Sequence, residues 1–252
     1  MGNQVLVATE GARGILTLNL PKRHNSLTPD FLESILIGIN ELNDNPEVKV
    51  ILLKAEGISF STGGDVRVFR ERLADISLYS EEIVGALNQV MIAMVKISIP
   101  IITCVQGMVT GGSLGLVLAS DIILVTHEAS FTPYYSVVGF SPDGGWATIL
   151  PRIIGQKRAA EVLLLNETIT AEKAVLWGLA NRLVDKEELF NEARKIANVL
   201  IENKTGSIAR TKNLLWQDID QLERLLEKER QQFVEQIQTD EARVGLQAFL
   251  RR

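Results

Sequence analysis

This chain holds a single cysteine, Cys104, two histidines and three tryptophans in 252 residues. With one thiol no internal disulfide can form, and a cysteine-based zinc site is excluded with it. Cys104 sits inside the apolar run Ile101 to Val105, which fits a reducing compartment. Long hydrophobic runs are also missing. Ile97 to Val105 is interrupted by Ser98, Pro100 and Thr103, far short of the roughly 20 residues of a membrane helix. Polar Gly2-Asn3-Gln4, with no basic stretch before an apolar one, gives no sign of a secretion signal. There is no excess of positive charge either: 26 Lys and Arg are scattered among 31 Asp and Glu, for a net charge of −5. Phosphate-backbone binding is driven by clustered basic residues, so a nucleic-acid partner is not expected, nor is a membrane surface. The 19 glycines and seven prolines follow no repeat. A composition 46% hydrophobic and 23% charged is that of a globular, cytoplasmic protein large enough for a substantial core.

The pattern along the chain is α/β. Val5-Leu6-Val7 and Ile15 to Leu20, joined through Gly11 to Gly14, read as a hairpin. Thr28-Pro29-Asp30 caps a helix carrying Phe31, Leu32, Ile35, Leu36, Ile39 and Leu42 at helical spacing, stopped by Asn43 to Pro46. Val48 to Leu53 is a strand apolar on both faces, followed by the glycine loop Ser59 to Asp65. A helix through Val84, Leu87, Val90, Met91 and Met94 leads to a strand at Ile101 to Val105. A second glycine segment, Gly107 to Gly115, and a strand at Asp121 to Val125 complete the pattern. Strand, glycine loop, helix and strand in repetition predict a partly parallel sheet. Beyond Ile154 only Arg182-Leu183-Val184 reads as a strand. The rest is helical, over 157–165, 170–177, 187–202, 205–219 and 221–238. The last of these, Leu222 to Ile237, has Leu225, Leu226, Phe233 and Ile237 as an apolar stripe, for packing on its own domain or for a subunit interface.

Gly111-Gly112-Ser113-Leu114-Gly115 matches the G-x-S-x-G of serine hydrolases, with Asp121 and His127 following in order. The match is weak, because Asp121 opens the next strand and His127 closes it, roughly 20 Å apart if extended. A triad requires hydrogen-bond contact, so His127 is read as a strand-end surface residue. Both glycine pairs are better understood as places where backbone closely approaches a ligand. Gly111-Gly112 ahead of a helix, and Gly63-Gly64 ahead of Asp65, offer unpaired N–H groups from two loops that together can clamp one carbonyl oxygen.

The order of motifs resembles the crotonase, or enoyl-CoA hydratase/isomerase, superfamily along essentially the whole chain. The matching segments are Asn25-Ser26-Leu27, Phe60 to Asp65, Pro100 to Gly107, Gly111-Gly112, Asp121-Ile122 and Ala129-Ser130-Phe131. They continue through Gly139 to Gly145, Leu150-Pro151-Arg152, Ala174 and Trp177-Gly178-Leu179. The resemblance implies a spiral of ββα units over residues 1–195 and a helical trimerisation region over 196–252. It also implies a homotrimer or hexamer, an acyl-CoA thioester substrate with no further cofactor or metal, and an oxyanion hole made by the N–H groups of Gly64 and Gly112. The CoA nucleotide is expected near Lys22, Arg23, Ser61, Thr62, Gly63, Asp65 and Val66, with Tyr135 and Trp146 as further substrate-binding residues.

The chain departs from the hydratase members where they carry two glutamates: the matching positions are Gly115 and Tyr135. What remains is Asp143, eight residues after Tyr135 and placed like the working aspartate of double-bond isomerases and aryl-CoA dehalogenases in the superfamily. Taken alone, Asp143 also reads as the cap of a helix from about Gly144 to Ile149. Tyr134, Tyr135, Val137, Val138, Phe140 and Trp146 around it predict an apolar setting that raises a carboxyl pKa. The expectation is an isomerase. A dehalogenase-like or other acyl-CoA hydrolase with nucleophilic Asp143, an atypical hydratase and a catalytically idle paralogue are the alternatives. At the position of the dehalogenases' water-activating histidine stands Ile92. RNA-binding members have a lysine-rich first helix, whereas Phe31 to Asn45 has neither Lys nor Arg.

Overall fold

The computed structural model describes residues 3–251. The larger sheet comprises β1 (Val5–Glu10), β2 (Arg13–Leu18), β3 (Val50–Ala55), β4 (Ile101–Val105), β6 (Ile122–Val125) and β9 (Arg182–Leu183), side by side in that order. Only the opening hairpin β1–β2 is antiparallel; every later pairing is parallel. A smaller sheet holds β5 (Met108–Thr110), β7 (Ser130–Thr132) and β8 (Ile169–Thr170). β4 and β6 are each followed at once by a strand of the smaller sheet, β5 and β7, and then by helix, which makes the ββα repeat.

Twelve helices are described: α1 (Pro29–Asp44), α2 (Val66–Glu71), α3 (Ile76–Lys96), α4 (Leu114–Leu118), α5 (Tyr135–Val138), α6 (Leu150–Ile154), α7 (Gln156–Leu165), α8 (Ala171–Leu176), α9 (Leu189–Glu202), α10 (Thr205–Leu215), α11 (Ile219–Ile237) and α12 (Asp240–Phe249). The Thr28 hydroxyl accepts from the Phe31 N–H at 3.3 Å and starts α1, a cap worth about 1 kcal/mol. Alternate residues of the central strands face opposite ways. Ile51, Leu53, Ile101 and Val105 pack with α1, α3 and α11, while Val50, Leu52, Ile102, Cys104 and Leu124 pack against Leu189, Ala193 and Ala197 of α9. Both sheet faces are therefore covered, which is why these strands read as unbroken apolar runs.

Several expectations need correction. No helix begins at Gly144. Residues 144–149 are successive turns with φ of +62° at Gly144 and +83° at Gly145, and helix resumes only at Leu150. Helix α12 follows the segment read as the last, and β8 adds a short strand beyond Ile154. Of the two readings of the α11 stripe, packing on its own domain is the one seen: Leu226, Phe233 and Ile237 are buried, and α11 packs along α3. Residues 195 and 196 both lie within α9. Among the described residues no helix is long and apolar enough to cross a membrane.

Candidate active site

The two glycine loops meet because the strands that carry them run in parallel. Ser61 forms a parallel bridge with Val109, with the Ser61 N–H donating to the Met108 carbonyl at 3.2 Å and the Thr110 N–H to the Ser61 carbonyl at 3.1 Å. Three residues beyond these bridged partners lie Gly64 and Gly112, so both emerge at the same end of the small sheet. Asn25 pins the first loop. Its side-chain amide donates to the carbonyls of Glu56, Ser59 and Phe60 at 3.0–3.2 Å, and its side-chain oxygen accepts from the Leu20 N–H at 2.8 Å. The Ser113 hydroxyl, fully buried, donates to the Ser61 and Thr110 carbonyls and ties the second loop to the first. Neither Gly64 nor Gly112 has an acceptor for its N–H among the described backbone bonds and side chains, as the first turn of the 3-10 segment Gly111–Ser113 dictates for Gly112.

Both glycines line a cavity of about 500 Å³. Leu27, Phe69, Ile83, Leu87, Val138 and Phe140 form much of its apolar wall, with Phe233 of α11 and Phe249 of α12 completing it. Two carboxylates line it, and their surroundings differ sharply. Asp65 accepts from Arg23 Nη2 at 3.0 Å and from Arg67 Nε at 3.2 Å. Burial pushes its pKa up, yet the hydrogen bonds from Arg67 and Arg23 outweigh burial and leave it below the ordinary carboxylate value. Asp143 is 7% exposed and has no cationic partner among the described residues; its Oδ1 accepts from the Tyr135 hydroxyl. Burial raises its pKa to about 6, with the Tyr135 bond holding it lower than burial alone would. The expected apolar setting of Asp143 is present. Its side chain makes no cap to the following turn.

The anticipated residues divide by position. Arg23, Thr62, Gly64, Asp65, Val66, Gly112, Tyr135 and Asp143 line the cavity, whereas Lys22, Ser61, Gly63 and Trp146 do not. The Ser61 hydroxyl is fully buried and donates to the Asn25 carbonyl at 2.7 Å, a brace of the loop. The Gly63 carbonyl accepts from the Leu27 N–H at 2.7 Å. Trp146 stands edge-on behind Tyr135 and donates its indole N–H to the Gly111 carbonyl at 2.7 Å. The hydrolase-like triplet is dispersed: Ser113 is walled in, Asp121 pairs with Lys212 at 2.9 Å, and His127 is exposed beside Glu172. Among the described residues no group of three or more His, Cys, Asp and Glu is placed to hold a metal ion.

Sequence reasoning passed over Phe69, Phe233 and Phe249 as cavity wall and Glu229 as a site neighbour. The signal for Glu229 was present, an acid spaced with Leu222, Leu226, Phe233 and Ile237 along the apolar face of α11.

The fold is that of the crotonase spiral. A solved enoyl-CoA hydratase from Bacillus halodurans superposes with a TM-score of 0.92 at 26% identity, over 97% of this chain and 99% of that one. The enoyl-CoA hydratase/isomerase family model matches residues 10–252, and the chain belongs to that family of enzymes. Its relatives differ in chemistry. A trans-2-decenoyl acyl-carrier-protein isomerase from Streptococcus mutans is 27% identical over 85% of this chain and 82% of its own. A 4-chlorobenzoyl coenzyme A dehalogenase from Arthrobacter is 29% identical over 82% of this chain and 76% of its own.

Proposed function

We propose that this protein is an acyl-CoA isomerase that moves a double bond from the 3 to the 2 position of an enoyl thioester through its enolate. The observation that carries the proposal is the contrast between the two cavity acids. Asp65 is neutralised by two guanidinium groups, whereas among the described residues Asp143 has no charged donor, only uncharged ones, and titrates near 6, the property of a proton shuttle at neutral pH. The ionised Asp143 carboxylate takes the proton from the α-carbon. The negative charge moves to the thioester oxygen, where the Gly64 and Gly112 N–H groups receive it. The proton is then returned to the γ-carbon, the double bond settles between the α- and β-carbons, and Asp143 ends ionised as it began.

Hydration requires a second working acid. Gly115 occupies one of the two glutamate positions of the hydratases, and there a Cβ would stand 2.6 Å from Met91 Sδ. Arg23 and Arg67 at the Asp65 end suit the phosphates of CoA. Exposed Leu164, Leu165 and Leu176 on α7 and α8 support a homotrimer or a dimer of trimers. The deciding assay follows conversion of a 3-enoyl-CoA to the 2-enoyl-CoA, which wild type is expected to perform and D143N to lose. Rapid hydration of crotonyl-CoA, or full isomerisation by D143N, overturns the proposal. A covalent aryl ester on Asp143 after exposure to a halogenated benzoyl-CoA replaces it with dehalogenase chemistry.

A further inference from the structure

Glu229 is a buried acid that the chemistry above leaves unused. It lies on α11 and is 7% exposed, one turn from Leu226 on one side and from Phe233 on the other. An aliphatic side chain is the ordinary occupant of such a stripe, since taking a carboxylate out of water costs several kcal/mol unless hydrogen bonds replace the lost hydration. Here they do. Glu229 Oε2 accepts from the Gly145 N–H at 2.8 Å and Oε1 from the Ala147 N–H at 3.1 Å.

Those two donors belong to the turn that carries Asp143. The turn is not held by a helical ladder, because Gly144 and Gly145 both have positive φ. On its other side it presses on the oxyanion loop: a Cβ at Gly144 would stand 2.6 Å from the Gly112 carbonyl, and the Trp146 indole donates to Gly111. The Asp143 turn is therefore gripped between the glycine loop in front and the Glu229 carboxylate behind. Phe233, one helical turn along α11, reaches the cavity itself.

We propose that Glu229 is a positioning residue, whose two-oxygen grip on the Gly145 and Ala147 amides fixes Asp143 against the α-carbon site. This rests on the role of Asp143 given above. The grip requires both charge and reach, and two variants separate them. E229D keeps the charge and withdraws the oxygens by one methylene, whereas E229Q keeps the reach and replaces one acceptor with a donor that opposes an amide N–H. Both are expected to lower kcat by about 10-fold to 100-fold, the scale of a misplacement near 1 Å, with KM changed less than about twofold. The double variant D143N/E229D is expected to be no slower than D143N, because displacing a side chain that no longer moves protons has no further effect. Wild-type kcat in both E229D and E229Q overturns the proposal. So does a rise in KM at unchanged kcat, or a loss in the double variant equal to the product of the single losses.

Carboxyl-labelled NMR keeps this claim separate from the reaction itself. The Asp143 resonance, identified by its absence in D143N, is expected to titrate near 6 in wild type and toward the ordinary aspartate range in E229D, as the loosened turn admits water. An unmoved midpoint overturns the positioning role even if the natural reaction is something other than isomerisation. Failure of wild type to isomerise, with the midpoint moved, removes the reaction and leaves the positioning role standing.

Discussion

The Asp143 carboxylate lies directly over the Cα of Gly112: a Cβ built there would stand 3.0 Å from Oδ2 and 3.1 Å from Oδ1, with Leu87 Cδ2 at 2.9 Å. A methyl group at Gly112 would therefore press on the proposed base and on Leu87 at once, and the carboxylate must give way by a few tenths of an ångström. Gly112→Ala is expected to displace Asp143 while leaving the strands intact. Turnover should fall by about 10-fold, with a folded circular dichroism spectrum. Activity within about twofold of wild type would show that the contact has no bearing on catalysis.

An ionised Asp143 is also a strain on the folded chain. Its carboxyl titrates near 6 in the folded protein against an ordinary value of 3.8, so between those pH values the folded state binds more protons than the unfolded state. Stability from this group is accordingly present at low pH and lost as pH rises toward 6, a difference on the order of 3 kcal/mol at full ionisation. D143N removes the ionisation while keeping the shape. Its melting temperature is expected to exceed that of wild type by a few degrees at pH 8, with the gap narrowing toward pH 5. A lower melting temperature at pH 8 would contradict this and mark Asp143 as a structural support.

Much of this was legible in the sequence because it rests on local rules. The hairpin, α1 with its Thr28 cap, the buried strands and the two glycine loops each announce themselves by period or by turn chemistry. The relation of Asp143 to Gly112 and Tyr135 could be anticipated only through family resemblance, since it depends on how parallel strands align distant loops. The turn at 144–149 was misread as a helix because an aspartate before a glycine-rich stretch looks like a cap, whereas two residues of positive φ forbid the first helical turn. Glu229 was hidden for the opposite reason. On a helix rich in Glu, Arg and Lys, one more acid reads as surface unless its place in the apolar stripe is counted, and its partners, the amides of a turn far away in sequence, are visible only in the fold.

Arg23 reaches across to Asp65 and stays 44% exposed in its side chain, so its remaining donors face solvent at the cavity mouth. Arg23→Ala is expected to raise KM for an acyl-CoA several-fold with kcat nearly unchanged, the mark of binding energy shared by ground and transition states. The same variant assayed on a short N-acetylcysteamine thioester, which lacks phosphates, should match wild type. An equal loss on both substrates would place Arg23 outside phosphate recognition.

Leu164, Leu165 and Leu176 are 76%, 67% and 78% exposed, so two short helices present aliphatic side chains to solvent, while the α11 stripe is already covered. Light scattering at micromolar concentration is expected to give three or six times the mass of one chain, and Leu165→Glu should lower it. A monomeric wild type removes the assembly from the proposal.

Tyr135 supplies the largest hydrogen-bond contribution favouring the charged form of Asp143, ahead of the backbone N–H of Asp143 itself, and Tyr135→Phe deletes it without emptying the space. Burial then acts on the carboxyl with less opposition, so its pKa rises above 6. Because the base must be ionised to take the α-proton, the acid limb of kcat/KM is expected to move to higher pH. The variant should lose more rate at pH 6 than at pH 8. Oδ1 also loses its partner, which adds a pH-independent loss, since an unsatisfied buried acceptor costs about 1–3 kcal/mol. A pH–rate profile separates the two effects: the first displaces the limb, the second lowers the plateau. A lowered plateau with an unmoved limb would assign Tyr135 to packing alone and leave burial as the sole determinant of the Asp143 titration.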